Sequence, residues 1–99
     1  MLNPMEIFKN FRIPIDYYRS KEKEPPFLVY IGKGSSNFEA DDENYYKSYD
    51  YSVEYYFNFK NEELEDEIER QFDIFNIIWN KSGDIYIEDE DMFVIYYYI

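Results

Sequence analysis

The residues of this chain that could do chemistry are carboxylates, and they occur in consecutive runs. The densest runs lie at 41–43 (Asp, Asp, Glu) and at 88–91 (Glu, Asp, Glu, Asp). Two carboxylates can act as general acid and base when apolar surroundings separate their pKa values, but adjacent acids in polar segments are solvated. A calcium loop needs acids at alternate positions, a Gly at the sixth place and a Glu at the twelfth, and neither run has that pattern. Both runs therefore predict a solvated acidic surface.

Other reactive residue types are scarce. The chain has no Cys and no His, which excludes a thiol nucleophile, an imidazole base, a disulfide framework and an ordinary zinc site. Residues 32–35 (Gly, Lys, Gly, Ser) lack the spacing of a phosphate-binding P-loop and are typical of a turn. We therefore expect a protein that is not an enzyme and that uses no cofactor or metal.

Composition favours one acidic, aromatic-rich domain spanning 1–99. The chain has 99 residues, of which 22 are acids and 10 are bases, and it contains 13 Tyr and 9 Phe. A length near 100 fits a single core, and such an aromatic content argues against disorder and favours strands. With no apolar run long enough for a membrane span and no leader-like N-terminus, we expect a soluble intracellular domain that does not bind membranes.

The charge is divided unevenly along the chain. Residues 1–38 hold four acids and six bases, a net charge of +2, whereas residues 39–99 hold 18 acids and four bases, a net charge of -14. One interpretation is a solvated acidic face. The other is that opposite faces of neighbouring subunits complement each other in a head-to-tail ring.

Two helices are predicted. Asn3 followed by Pro4 begins a short one, with apolar residues at helical spacing before Pro14 stops the pattern; the spaced residues are Met5, Phe8 and Phe11 or Arg12. Asn61 begins an amphipathic helix over about 61–75, whose apolar stripe should pack on a sheet. That stripe comprises Leu64, Ile68, Phe72 and Phe75, with Glu65, Asp66, Glu67 and Glu69 facing water.

Strands account for most of the remaining chain. Strict alternation over 49–59 predicts a half-buried antiparallel strand, and the apolar run 27–31 predicts a buried one. The polar segment 32–44 between them predicts a long exposed hairpin loop. The other assignments are an extended segment over 13–18, a charged loop over 19–26, a hairpin of 77–80 with 85–87 around a turn at 82–84, and a final strand over 92–99. Together these elements predict an α+β fold in which an antiparallel or mixed sheet packs against two helices.

The final strand is apolar on both faces. Two apolar sets alternate along it: Phe93, Ile95, Tyr97 and Ile99 on one side, and Met92, Val94, Tyr96 and Tyr98 on the other. One face can meet the two helices, but the monomer offers nothing obvious for the other, so a neighbouring subunit is its natural cover. The alternative is that the Tyr hydroxyls simply tolerate water.

Nucleic-acid binding is disfavoured, because affinity for phosphates depends on Lys and Arg and this acidic surface repels DNA. The same acidity suggests an alternative function. A compact acidic protein could imitate DNA, or otherwise act as an inhibitory module, in the site of a basic enzyme.

The order of elements, with several segments, resembles the small tail-terminator or tail-completion proteins of long-tailed bacteriophages and prophages, also described as head-tail joining or neck proteins. The similarity runs over nearly the whole chain. The segments that carry it are 27–31 (FLVYI), 37–41 (NFEAD), 45–46 (YY), 51–56 (YSVEYY), 63–65 (ELE) and 96–99 (YYYI).

This resemblance implies a virion structural protein, assembled in the host cytoplasm, that forms a ring at the tail-head junction. Such a ring, commonly a hexamer, caps the head-proximal end of the tail tube, stops its growth and joins tail to head. The implied partners are other copies of the chain, the tail tube protein and a head-completion or connector protein, while DNA passes through without specific binding. Acidic loops lining the lumen would repel that DNA.

We expect subunit or partner contacts in two places, the long polar loop and the final strand, because long loops in compact domains are usually functional or disordered. The candidate contact residues are Asn37, Phe38, Glu39, Asp41, Asp42, Tyr45, Tyr46, Tyr96 and Tyr98.

Overall fold

The computed structural model describes residues 3–40 and 44–99, with the side chains of 3–34 and 50–99. Its elements in chain order are α1 (Pro4–Ile7), β1 (Ile15–Tyr17), β2 (Phe27–Ala40), β3 (Asn44–Phe57), α2 (Glu62–Ile74), β4 (Asn80–Lys81), β5 (Ile85–Ile87) and β6 (Met92–Tyr98). The six strands form one sheet in the order β1-β2-β3-β6-β4, and β5 also pairs with β6. Only β1 and β2 are parallel, so the predicted α+β fold with a mixed sheet is confirmed.

Both helices begin where an Asn caps them. The Asn3 side chain accepts a hydrogen bond from the Glu6 amide at 3.2 Å, and the Asn61 side chain accepts one from the Leu64 amide at 3.1 Å. Side-chain caps of this kind satisfy amides that have no partner within the helix. Helix α2 therefore has its predicted extent within a residue, whereas α1 is a single turn.

Because the first helix is shorter than predicted, the residues that it buries differ from those expected. Met5, expected on the packed face, is 44% exposed, whereas Ile7 and Phe8 are buried. The chain leaves the helix after Ile7, so a helical spacing that continues to Phe11 or Arg12 was wrong. Phe8 instead packs its ring edge-on against Phe72 of α2, with centroids 5.4 Å apart.

The core lies between the helices and one face of the sheet, which we call the inner face. Leu64, Ile68 and Phe72 of α2 are fully buried there, as the apolar stripe predicted. They belong to one cluster with inner-face residues of three strands; these are Leu28, Val53, Tyr55, Phe57, Ile95 and Tyr97. Phe75 follows the helix and is 37% exposed, so the predicted stripe ends one residue too late.

The segment 32–44, expected to be a loop, is mostly strand. β2 continues to Ala40 and β3 begins at Asn44, with six further backbone pairs from Ser35 opposite Tyr49 to Ala40 opposite Asn44. The ladder is irregular between Gly32 and Ser35, where Gly34 has a φ of +96° that glycine adopts without strain. The reason is that each pair continues a ladder already nucleated by buried strands, which outweighs the turn-like composition.

β3 also differs from its predicted extent of 49–59. It begins at Asn44 and ends at Phe57, so Phe59 lies beyond the strand and is 86% exposed. Val53, Tyr55 and Phe57 lie on the inner face and are buried, as the alternation predicted.

The predicted hairpin of 77–80 with 85–87 does not form. β4 and β5 each pair with β6 instead of with one another. Ser82 between them joins the same edge, since its amide donates to the Tyr96 carbonyl and its hydroxyl accepts from the Tyr96 amide, both at 2.9 Å. The acidic run at 88–91 is therefore the turn of a β5–β6 hairpin.

Candidate assembly surface

The face of the sheet opposite the helices, which we call the outer face, is largely apolar. Register places on it the side chains that alternate with the inner-face residues. In the described part of the chain these are Asp16, Phe27, Val29, Ile31, Asp50, Ser52, Glu54, Tyr56, Asn80, Ile85, Ile87, Met92, Val94, Tyr96 and Tyr98. The helical members of the core cluster all pack with inner-face residues. The outer face therefore has no helical layer in the described part of the chain.

A short strap covers part of the outer face. After β1 the chain reverses at Tyr18, which has a φ of 70°, and the Arg19 amide donates to the Tyr17 carbonyl at 2.7 Å. The Asp16 carboxylate then accepts a hydrogen bond from the Lys21 amide at 3.0 Å. A bulky residue at positive φ is uncommon and costs conformational energy. The surrounding structure thus holds residues 18–24, the strap, over the sheet.

An open groove of about 560 Å³ runs between the strap and the β5–β6 turn. Its floor is formed by Phe27, Val29, Tyr56 and Met92. Phe27 and Val29 are already buried, as is Val94 farther along β6. The final strand's second face is thus covered within the monomer more than its sequence indicated, although no complete layer lies over it.

Polar side chains near the centre of the sheet interrupt the apolar surface. The Tyr56 hydroxyl donates to Glu54 Oε1 at 2.6 Å, and burial, followed by this hydrogen bond, raises the pKa of Tyr56. Burial and the Glu54 charge also raise the pKa of Tyr96. Ser52 has no exposed surface, and its hydroxyl has no hydrogen-bond partner among the described residues. A buried hydroxyl without a partner costs about 1 to 3 kcal/mol.

The predicted contact residues fall in two regions. Tyr96 and Tyr98 lie on the outer face with stacked rings 6.4 Å apart, and Tyr98 is 47% exposed. The backbones of Asn37, Phe38, Glu39, Tyr45 and Tyr46 lie in the paired extension of β2 and β3, where 38 is opposite 46 and 39 is opposite 45. Asp41 and Asp42 lie outside the described residues.

We call this extension, residues 35–40 with 44–49, the arm. Neither of its strands has a second neighbour among the described residues, because β1 reaches only Tyr30 on one side and β6 ends opposite Ser52 on the other. Six pairs at about 3.4 Å per residue give the arm a length of roughly 20 Å. An isolated two-stranded hairpin is at best marginally stable in water, so the arm is suited to rest on another surface.

Sequence reasoning missed the sheet centre of the outer face and the strap. The signal that could have found the former is Tyr56, an aromatic residue on the otherwise polar side of the β3 alternation. No comparable signal marks the strap, since its position depends on the backbone turn at Tyr18.

A charged cluster lies on the other side of the molecule, and it corrects one prediction. Glu65, expected to face water, is 4% exposed. Its carboxylate is 2.7 Å from Lys60 Nζ and 3.4 Å from Lys81 Nζ. Position 65 adjoins the apolar stripe on the side of α2 that meets these lysines, so the helix buries it against two cations. A buried carboxylate is tolerated when it is paired in this way.

The second acids of the cluster complete its pairing. Lys60 also contacts Asp84 at 3.1 Å, and Lys81 contacts Glu69 at 2.7 Å. Burial by itself lowers the pKa of each lysine, but hydrogen bonds to these acids reverse the effect and raise it. Because both cations are engaged, the cluster links α2 to the sheet and to the turn before β5, and it offers no free base or nucleophile.

Metal-binding groups and membrane-spanning helices are both absent from the described residues. Among them, no group of three or more acidic side chains is arranged to hold a metal ion. Neither helix of the described ranges has the length and hydropathy to cross a membrane.

Comparisons with other proteins leave the surface to be interpreted from its own chemistry. A scan against protein-family models, a search of curated proteins and a search of solved structures find no match to this chain.

Proposed function

We propose that this protein is a self-assembling structural component of a phage tail, forming a ring that caps the head-proximal end of the tail tube and joins tail to head. The resemblance of its sequence segments to tail-terminator proteins motivates the phage role. The observation that carries the self-assembly is the outer face, an apolar sheet surface without a second layer in the described part of the chain.

The apolar character of this face favours a protein partner over solvent. Tyr98 is 47% exposed and Ile85 42% exposed on the same face, and Ile31, Tyr56 and Tyr96 are half-buried. Burying apolar surface contributes about 25 cal/mol per Å². Contiguous patches of this kind mark interaction sites.

Size indicates that the face alone makes a weak contact. Four strands about 4.8 Å apart and roughly 20 Å long give about 400 Å², which is half of the roughly 800 Å² that each partner contributes to a standard interface. A further contribution from each copy is required for a stable ring. The arm is a candidate for it, because its strands have no second neighbour among the described residues.

The experiment that tests this function measures capping of tail tubes. Purified tubes are mixed with the wild-type protein or with Tyr98→Glu, and tube ends and head joining are scored by electron microscopy. We expect the wild type to form rings at one tube end and Tyr98→Glu to lose them, because the new carboxylate lies in the apolar contact.

Phe59→Glu is the matched control, since Phe59 is exposed but lies beyond β3 and off the outer face. It should cap tubes as well as the wild type does. Wild-type protein that never binds a tube end overturns the phage role. A complex with a basic DNA-binding enzyme that dissociates at high salt, formed by a protein that stays monomeric, favours the DNA-mimic alternative instead.

A further inference from the structure

We infer that the strap is a gate over the outer-face groove, closed by an ion pair between Lys23 of the strap and Glu90 of the β5–β6 turn. Closure covers part of the apolar floor, and opening exposes it. The effect on assembly rests on the proposed self-association through the outer face, whereas the gate itself is a property of the single chain.

Lys23 and Glu90 lie on opposite walls of the groove, at the point where it meets a second one. The second groove, of about 510 Å³, is also open and extends from this point past Phe59 and Tyr86. In the described part of the chain the residues that line both grooves are Lys23, Glu90 and Met92. An ion pair between the two charged residues therefore closes the passage over Met92 and divides the surface into two smaller grooves.

The charges of the two walls favour closure. The strap holds three bases and two acids, a net charge of +1, whereas the turn at 88–91 holds four acids and no base, a net charge of -4. Neither Lys23 nor Glu90 forms an ion pair with a side chain that the structure describes. Each charge is therefore available to the other, and their attraction across the open groove depends on the salt concentration.

The strap is held at its base, while its tip has little to restrain it. The hydrogen bond from the Lys21 amide to Asp16 fixes the base. Beyond it the Glu22 amide donates to Ser20 Oγ at 2.9 Å, which is a contact within the strap itself. No hydrogen bond joins residues 22–24 to the sheet in the structure as described. Exposed segments with few hydrogen bonds move at a low cost in free energy, so the tip can approach the turn.

The β5–β6 turn, in contrast, is held by its own hydrogen bonds. The Glu90 amide donates to the Ile87 carbonyl at 3.2 Å, and the Asp91 amide donates to the Glu88 carbonyl at 3.4 Å. The Tyr86 hydroxyl donates to Asp91 Oδ1 at 2.7 Å. The gate therefore closes by movement of the strap tip toward a turn that stays in place.

The gate should be weak enough to respond to salt. An ion pair between exposed side chains shifts an equilibrium by about 1.4-fold to fivefold. If only the open form associates, the apparent association constant falls by the fraction of the chain that is closed. Neutralising either residue should therefore raise association about twofold to sixfold at low salt.

The methyl group of Met92 reports the gate directly, because Met92 lies where the two grooves meet. The chain has three Met, so selective methyl labelling gives a simple NMR spectrum. Dilute protein is titrated from about 0.01 M to about 1 M salt, over which the Debye length falls from about 30 Å to about 3 Å. We expect the Met92 resonance to move steadily with salt while the resonance of Met5 on α1 stays constant. Lys23→Gln and Glu90→Gln should each hold Met92 at its high-salt position.

Matched controls come from the same two segments. Lys21→Gln and Asp89→Asn make the same changes in charge, but neither residue lines either groove. Both variants should retain the salt response of Met92. A Met92 resonance that does not respond to salt in the wild type, or that responds equally in Lys23→Gln, overturns the gate.

A disulfide tests what closure does to assembly, since the chain has no Cys of its own. Lys23→Cys with Glu90→Cys should form an intramolecular disulfide on oxidation and lock the gate closed. Sedimentation velocity should then show association at least tenfold weaker than in the reduced form. Arg12→Cys with Glu67→Cys is the control, because it replaces a 3.4 Å pair on the helical side. Oxidising it should leave association unchanged, with circular dichroism showing that both variants are folded.

The outcomes separate the gate from the proposed function. Failure of the Met92 response overturns the gate and leaves the tail function standing. A normal Met92 response with a locked variant that assembles as well as its reduced form overturns the control of assembly by the gate. A normal Met92 response in a protein that never self-associates or binds a tube end overturns the proposed function alone.

Discussion

The buried Glu65 gives the sharpest test of the energetics of this fold, because its partners are much more exposed than it is. The Glu65 side chain is 5% exposed, against 45% for Lys60 and 37% for Lys81. Removing the cations therefore leaves a buried charge without compensation. Removing the acid leaves two lysines that can reach water and that keep Asp84 and Glu69 as partners.

The two perturbations should differ in size for this reason. Lys60→Met with Lys81→Met keeps apolar side chains of similar size but removes the two ammonium groups, which lie 5.8 Å and 6.0 Å from the ring centroids of Phe57 and Tyr97, and it should cost about 3 to 5 kcal/mol of the free energy of unfolding. Glu65→Gln removes charge-assisted hydrogen bonds to partly solvated lysines and should cost about 1 to 2 kcal/mol.

Equilibrium unfolding in urea at pH 7 measures both values, and an unchanged m-value shows that the unfolded state is comparable. Arg12→Met is the control, since it breaks a 3.4 Å pair with Glu67 in which Arg12 is half exposed. It should cost less than about 1 kcal/mol. A loss in Glu65→Gln that equals or exceeds the loss in the double lysine variant would refute the reasoning that Glu65 is the buried partner.

Three further predictions concern other parts of the molecule. Burial, followed by the Glu65 charge, raises the pKa of Tyr55 from 10.0 to about 12, and burial with the hydrogen bond to Glu69 raises the pKa of Tyr97 further. Both groups contribute fully to stability below pH 10, and these contributions decline as the pH rises above 10, so the free energy of unfolding, followed by circular dichroism, should fall by up to about 1.4 kcal/mol per pH unit for each group between pH 10 and 12. Stability that is level from pH 9 to 12 contradicts this. Asn61→Ala removes the α2 cap and should cost about 1 kcal/mol in urea unfolding, whereas Asn58→Ala outside the helix should cost almost nothing. Ser52→Ala removes an unpartnered buried hydroxyl, so the monomer should be equally stable or up to about 1 kcal/mol more stable. A loss of more than about 1 kcal/mol, measured by urea unfolding of the protein at low concentration, would show that the hydroxyl is hydrogen-bonded within the monomer.

Regular periodicity made some elements predictable from sequence. The spacing of Leu64, Ile68 and Phe72 gave α2 and its packed face, and the alternation through Val53 and Tyr55 gave the centre of β3. Both signals come from side chains that must be buried, and burial follows the geometry of the backbone. Asn3 and Asn61 gave the helix starts because their caps are local interactions.

Features that depend on distant parts of the chain were missed. The arm has the composition of a loop, and only pairing with a strand already held in the sheet makes it a ladder. Glu65 lies one position from the apolar stripe, and its burial depends on lysines 5 residues before it and 16 residues after it. The strap needs the turn at Tyr18, whose positive φ no residue preference indicates.

The same division applies to the assembly surface. Tyr96 and Tyr98 were found because an unbroken apolar strand has no polar face. The groove was not found, since its floor combines β2, β3 and β6 and its wall is the strap. Such a surface exists only once the sheet order is fixed.

Sedimentation velocity over a wide range of protein concentrations tests self-association through the outer face most directly. The wild type should shift from monomer to a species of several subunits as concentration rises, and Tyr98→Glu should remain monomeric while Phe59→Glu behaves as the wild type does. A wild-type chain that sediments as a monomer at every concentration, or a Tyr98→Glu variant that assembles equally well, would contradict it.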